Sequence, residues 1–168
     1  MDLSFGDICR NDNDISVRIY SGDGKPMFKQ FNNVKIDSVL DESIVLNLQD
    51  RDISSYDADL IGAAKENRKL WFGREVADKT IEKSYQSPVE DGIFTTTRHE
   101  KLRCFDHEKN QVAADSLTEG MRCDVVVELS SLWFIKRNFG PDWLSVQIKL
   151  HAPPATSPYD DYLFQDEE

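Results

Sequence analysis

Hydrophobic and polar residues alternate in short blocks along most of this chain, and one stretch near the middle changes to helical spacing. Ile15-Ser16-Val17-Arg18-Ile19-Tyr20 is apolar at every second position. Ser21-Gly22-Asp23-Gly24 follows as a turn, and Pro26-Met27-Phe28-Lys29-Gln30-Phe31 completes a predicted hairpin. Val34-Lys35-Ile36 and Ser43-Ile44-Val45-Leu46-Asn47-Leu48 predict further strands, broken at Asp41-Glu42. From Ser54 the spacing becomes helical, with Ser55 as N-cap, acids in the first turn, and Lys65, Arg68 and Lys69 near the end, the order that a helix dipole favours. A second short helix is predicted from Asp78 through Tyr85, closed by Pro88.

The C-terminal half returns to alternation. Met121, Cys123, Val125, Val127 and Leu129 share one face of a strand, and Leu144, Val146, Ile148 and Leu150 share one face of another. Leu132 to Asn138 lies between them, with Phe139-Gly140-Pro141-Asp142 read as the turn. Short strands with one helical insertion predict a mainly β chain, an OB-fold-like antiparallel barrel, with a Greek-key sandwich as the alternative. The expected division is a barrel domain over 1–151, its helical insert at about 54–87, and a flexible linker with an acidic tail over 152–168.

Composition narrows the function. At 168 residues with 39% hydrophobic and 30% charged positions, the chain suits one soluble domain. Its longest apolar runs are strand-length and its first residues lack a signal-peptide pattern, so an intracellular protein away from membranes is expected. The net charge of −11 excludes a histone-like mode of nucleic-acid binding. That charge is uneven: residues 98–151 are balanced between acids and bases, leaving room for a local basic groove. Cys9, Cys104 and Cys123 are odd in number and widely spaced, which argues against a disulfide framework or a zinc site. No metal or other cofactor is implied. His99, His107 and His151 are scattered, and neither a nucleophile elbow nor a phosphate-binding glycine loop occurs, so the chain does not read as an enzyme.

The densest chemistry lies in the C-terminal hairpin. Trp133, Phe134, Phe139 and Trp143 are interleaved with Lys136, Arg137 and Lys149. Aromatic faces stack bases at about 1–3 kcal/mol each, while Lys and Arg follow the phosphates. With Leu144, Val146 and Ile148 inward, Trp143 turns outward beside Gln147 and Lys149. Phe134 with Lys136 is assigned to that same side, and Trp133 to the core. The competing reading packs all four aromatics into a barrel end. Arg103 and Arg122 are placed on the polar side, giving Arg103, Arg122, Phe134, Lys136, Arg137, Phe139, Trp143, Gln147 and Lys149 as candidate nucleic-acid contacts. Trp71-Phe72 reads chiefly as an apolar seam holding helix to barrel.

The tail has its own logic. After Ala152-Pro153-Pro154, the acids Asp160, Asp161, Asp166, Glu167 and Glu168 surround Tyr159, Tyr162 and Phe164, too little apolar surface to fold alone. An acidic, aromatic segment can mimic a nucleic-acid backbone and dock on a partner. A solubilising terminus is the plain alternative.

The stretch from Glu128 to Lys149, with its Trp133-Phe134, Phe139-Gly140, Trp143 and Val146-Gln147-Ile148-Lys149, resembles the C-terminal signature of a family of single-stranded-DNA-binding proteins in large nucleocytoplasmic DNA viruses. Lys69-Leu70-Trp71-Phe72-Gly73-Arg74-Glu75, then Ile81 and Tyr85, resembles that family's second block. The resemblance implies an OB fold that protects single-stranded DNA in viral replication, similar in plan to phage proteins with acidic tails that recruit replication proteins. A viral protein would act in the host nucleus or a cytoplasmic viral factory. Ile15 to Tyr20, taken as an edge strand, would permit a homodimer. Stacking does not separate DNA from RNA. A non-catalytic viral structural or adaptor protein that binds a protein partner is the second hypothesis.

Overall fold

The computed structural model of the chain describes residues 2–12, 14–152 and 164. Nine strands form one sheet among these residues: β1 (Leu3–Arg10), β2 (Ile15–Ser21), β3 (Met27–Val39), β4 (Ser43–Asn47), β5 (Val89–Glu90), β6 (Ile93–Phe105), β7 (Gln111–Val112), β8 (Arg122–Ile135) and β9 (Asn138–Leu150). Between β4 and β5 come α1 (Ser54–Glu66), α2 (Arg68–Phe72) and α3 (Asp78–Ser84).

The pairing closes on itself. β8 pairs β3, β3 pairs β4, β4 pairs β6, and β9 pairs both β6 and β8. Only the β6–β9 contact is parallel in this ring. A five-strand ring in this order, with its third and fifth strands parallel, is the Greek-key barrel of the OB fold. The chain is thus mainly β and OB-fold-like, with three short helices inserted between the second and third barrel strands.

Alternation explains the barrel's interior. Phe31, Val34, Ile36, Ile44, Leu46, Phe94, Cys104, Cys123, Val125, Val127, Leu129 and Ile148 are buried inside. Burial pushes the Cys123 thiol up to about 12, and keeps Cys104 raised as well, so both act as small hydrophobes. Helix α1 buries Tyr56, Leu60, Ala63 and Ala64, one stripe at helical spacing. It begins one residue before Ser55, and its N-cap residue, Ile53, makes no side-chain cap. Asp52 instead accepts from the Ser54 amide and hydroxyl. Helix α2 ends at Gly73, whose φ of 75° is the left-handed stop that glycine makes without strain.

Beyond the barrel, β8 and β9 continue together as a long hairpin. β3 occupies one edge of β8 as far as Leu129, and β2 takes over that edge from Ser131 to Phe134. β1 then covers β2, so Ile15–Ser21 lies inside the sheet and, among the described residues, the outer edge there belongs to β1. This corrects the edge assignment made from sequence. Leu3–Arg10 carries no strand signal in its sequence because a bulge between Phe5 and Ile8 breaks its alternation.

The hairpin turns at Lys136-Arg137, with Ile135 opposite Asn138, so Phe139 to Asp142 are strand residues and not the turn that their composition suggests. Pro141 sits opposite Leu132, before β6 joins the other edge of β9 at Leu144, where a missing amide is tolerated. Gly140 permits a close crossing there: a Cβ would fall 2.6 Å from the Gln86 carbonyl and 2.8 Å from the Trp133 ring.

Candidate nucleic-acid interface

Two bulges decide which hairpin side chains face out. In the β8–β9 ladder, Val126 pairs Gln147 and Val127 pairs Ser145, so Val146 is the extra residue; Leu129 pairs Trp143 and Ser131 pairs Asp142, so Ser130 is another. Each extra residue inverts the alternation beyond it. Trp143 and Ser145 therefore share the interior with Ile148, and Leu132 and Phe134 share it with Leu129.

The aromatic platform expected from sequence is corrected accordingly. Trp143 is 1% exposed, Phe139 0% and Phe134 6%, so none can stack a base in this conformation. Trp143 meets Tyr56 of α1 edge-on at 5.1 Å and Phe94 of the barrel at 5.8 Å. Phe134 and Phe139 stack at 5.6 Å, and Phe72 meets each of them at 5.5 Å. Trp71 packs between Phe5 and Phe134, making the seam between helices and hairpin. Trp133, assigned to the core from sequence, lies partly exposed over Gly140 instead.

The cations on the hairpin fare differently. Lys136 and Arg137 are exposed at the tip, and Lys136 holds a φ of 55°. A left-handed lysine costs roughly 1–2 kcal/mol that glycine would avoid, a cost set by the two-residue turn that joins β8 to β9. Beneath the tip, Lys136 and Arg137 join Arg74, Thr80 and Ser84 around a groove of about 370 Å³ floored by Phe72, Val76 and Ile81.

Pairing across the helical insert sharpens the contrast. Lys65 meets Glu82 at 2.6 Å, Arg68 meets Asp78, and Lys69 meets Glu75 at 3.4 Å. Among the described residues, Arg74, Lys136 and Arg137 enter no ion pair. The groove thus combines three uncompensated cations, hydroxyls and an apolar floor. Sequence reasoning missed Arg74, although its place after the Gly73 stop is a local signal.

A second set meets on the barrel wall. Arg103 and Gln147 are opposite one another across β6 and β9, and Lys149 is opposite Phe105. Lys149 Nζ lies 3.6 Å from Asp124 Oδ2. Gln30, Phe105, Lys109, Asp124, Gln147 and Lys149 line a groove of about 320 Å³. Arg122 stands apart from this wall: its Nε donates to Asn33 Oδ1 at 2.6 Å. Of the tail candidates, Tyr159, Asp160, Asp161, Tyr162, Asp166, Glu167 and Glu168 lie outside the described residues, and Phe164 is 80% exposed.

Two carboxyls respond oppositely to acid. Burial opposes charge on Asp124, yet the Asn33 amide at 2.9 Å, the His151 ring at 2.6 Å and Lys149 outweigh it and hold its carboxyl below the usual range. Burial raises Asp57, with hydrogen bonds from Tyr85 and Ser87 compensating only in part. A lowered carboxyl stabilises the fold above its unfolded value, and that gain disappears as the pH falls through its folded value. A raised one stabilises at low pH, losing its gain as the pH rises. In urea titrations from pH 6 down to about pH 3, near the ordinary carboxylate range, Asp124→Asn is expected to flatten the acid-induced loss of stability. Asp57→Asn is expected to steepen it.

Ring order and exposed chemistry together define an OB-fold-like barrel with a basic groove on the loop between its last two strands. The chain belongs to the family of unknown function DUF5871, whose profile matches residues 32–166. Among curated proteins none matches. Among solved structures, the chain is similar to the single-stranded DNA-binding protein from bacteriophage Enc34, with 11% identity, a TM-score of 0.47, and coverage of 94% of this chain and 98% of that one. A C-terminal truncation of that phage protein gives 12% identity and a TM-score of 0.48 over the same shares. Its complex with single-stranded DNA gives 12% and 0.46, covering 88% of this chain and 94% of that one. The barrel assignment rests on this chain's own strand order. No helix among the described residues is long and apolar enough to cross a membrane.

Proposed function

We propose that this protein binds single-stranded DNA without sequence preference, and that it is a binding module with no catalytic role. The observation carrying this reading is the tip groove, where Arg74, Lys136 and Arg137 stand over Phe72, Val76 and Ile81 with no ion pair among the described residues. The loop between the fourth and fifth barrel strands is one of the loops through which OB folds take oligonucleotides. The cations follow phosphates, and the apolar floor takes an unstacked base. Arg103, Gln147 and Lys149, with Phe105, offer a further stretch of path along the barrel wall. Phe134, Phe139 and Trp143 serve binding indirectly, by holding the hairpin against the helices.

In this proposal residues 1–151 are the binding domain and 152–168 a tethered acidic tail. The tail competes with DNA for the basic groove and, once displaced, recruits replication proteins. The resemblance of the hairpin to viral single-stranded-DNA-binding proteins extends the proposal to protection of DNA in viral replication, recombination or repair. The soluble protein would then work in the host nucleus or a cytoplasmic viral factory. The outer edge of β1 suits pairing with a second copy.

Fluorescence-anisotropy titration of a labelled oligo-dT strand, with the full chain and with a chain ending at Ser157, tests the core of this reading. Both forms are expected to bind, the shorter one several-fold more tightly, with affinity falling as salt rises. Absence of binding by either form up to tens of micromolar would sink it and favour a non-catalytic adaptor that offers the β1 edge to a protein partner.

A further inference from the structure

A second concentration of guanidinium groups lies at the far end of the barrel, away from the hairpin tip. The ladder between β3 and β8 slips between Phe31 and Val34, and Asn33 takes a φ of 55°. The bulge turns the carbonyls of Asn32 and Asn33 toward solvent, where two arginines from different elements meet them. Arg51, in the turn after β4, donates from Nη2 to the Asn33 carbonyl at 2.9 Å, from Nη1 to the Asn32 carbonyl, and from Nε to the Leu48 carbonyl at 3.4 Å. Arg122, opening β8, donates from Nη2 to that same Asn33 carbonyl at 3.1 Å and from Nε to Asn33 Oδ1 at 2.6 Å. Lys35 is exposed and sits directly opposite Arg122 in the ladder.

Two positive groups held on one carbonyl oxygen repel each other unless an anion intervenes. Among the described residues neither arginine enters an ion pair. Asp106 and Glu119 line the cavity that Lys35 and Arg122 also line, Asp106 turned to the Glu108 and Asn110 amides and Glu119 in no ion pair among the described residues; the other neighbouring acids are directed elsewhere or merely adjacent in sequence. Asp124 is engaged by the Asn33 amide, His151 and Lys149, Asp52 is turned to Ser54, and Asp50 flanks Arg51 in the chain. Donors remain. Arg51 keeps an N–H on each terminal nitrogen, and Arg122 keeps both on Nη1 and one on Nη2. Forked guanidinium donors of this kind suit the oxygens of a phosphate.

The geometry points to a phosphate-binding site at the β3 bulge, formed by Arg51, Arg122 and Lys35, which takes either free phosphate or a phosphodiester of a nucleic-acid strand. It is separate from the tip groove and does not depend on strand binding there.

Calorimetric titration of the full chain with inorganic phosphate at constant ionic strength tests it. One phosphate is expected to bind, and Arg122→Gln and Lys35→Gln are each expected to weaken it at least tenfold. In the double variant Lys136→Gln/Arg137→Gln, which removes tip cations that follow strand phosphates, the phosphate heat lost in Arg122→Gln and Lys35→Gln should persist. Arg51 is spared because it also ties three backbone carbonyls; Lys35 is exposed and tolerates exchange should Arg122→Gln fold poorly. No heat of phosphate binding would overturn the site, as would an affinity indifferent to Lys35→Gln and Arg122→Gln or lost only in the tip variant. A parallel oligo-dT titration separates the sources. Weaker strand binding by Arg122→Gln makes the occupant a strand phosphate; unchanged strand binding alongside lost phosphate binding makes it free phosphate. Because the phosphate titration contains no DNA, it reads the bulge site even if strand binding at the tip fails.

Discussion

Replacing Arg74, Lys136 and Arg137 together by glutamine is expected to lower affinity for oligo-dT about a hundredfold near 0.1 M salt, because each single-strand phosphate contact contributes roughly 0.7 to the logarithmic salt slope. The slope itself should become shallower by about 2. Anisotropy titrations across a salt series read both quantities at once. Thermal stability should change little, since none of the three side chains is buried or in an ion pair among the described residues. Lys136→Gly separates binding from folding further. Relief of the left-handed strain should raise stability by up to about 1 kcal/mol, while the lost charge weakens DNA binding. A triple variant that bound as tightly as the parent would remove the tip from the interface.

Trp143→Ala is expected to act on folding, destabilising the protein by about 3–5 kcal/mol, the range for emptying a large aromatic site. The indole is 1% exposed and touches both Tyr56 of α1 and Phe94 of the barrel. Its Nε1 is buried with no hydrogen-bond partner among the described residues. Trp143→Phe therefore forfeits no hydrogen bond and should retain most of the stability. Urea denaturation ranks the three proteins. At temperatures where Trp143→Phe is fully folded, its oligo-dT affinity should match the parent's. A selective loss of DNA binding in a fully folded Trp143→Phe would mean that the indole reaches the strand after all.

The second expectation reverses the role that sequence periodicity assigned to Trp143, and the reason is local. Alternation identifies β2, β3, β4 and the two long C-terminal strands, because a half-buried strand must repeat every two residues. It also supports a small closed barrel and marks the helical insert. What alternation cannot carry is phase across a bulge. Ser130 and Val146 each add a residue with no compositional mark, and the slips exchange Trp133 with Phe134 and Trp143 with Leu144 between faces. Polar and charged side chains survive such errors better, since Lys136, Arg137, Gln147 and Lys149 are exposed in the structure as the polar pattern implies. Arg51 and Lys35 acquire meaning only through neighbours distant in sequence, which no single-strand pattern encodes. β1 is illegible for the same reason as the hairpin's facing: its bulge leaves no uninterrupted period.

The parallel contact between β6 and β9 also governs how the chain can reach this shape during synthesis. The barrel's ring is closed only by its last strand, and β2 must wait for β8 before it gains its second neighbour. Until residues 122–150 leave the ribosome, β3 and β6 present open edges and half of an apolar interior. Such long-range closure is slow and exposes the nascent chain to mispairing. A ribosome stalled after β7 would therefore hold an unfinished, aggregation-prone sheet in place of a smaller working domain.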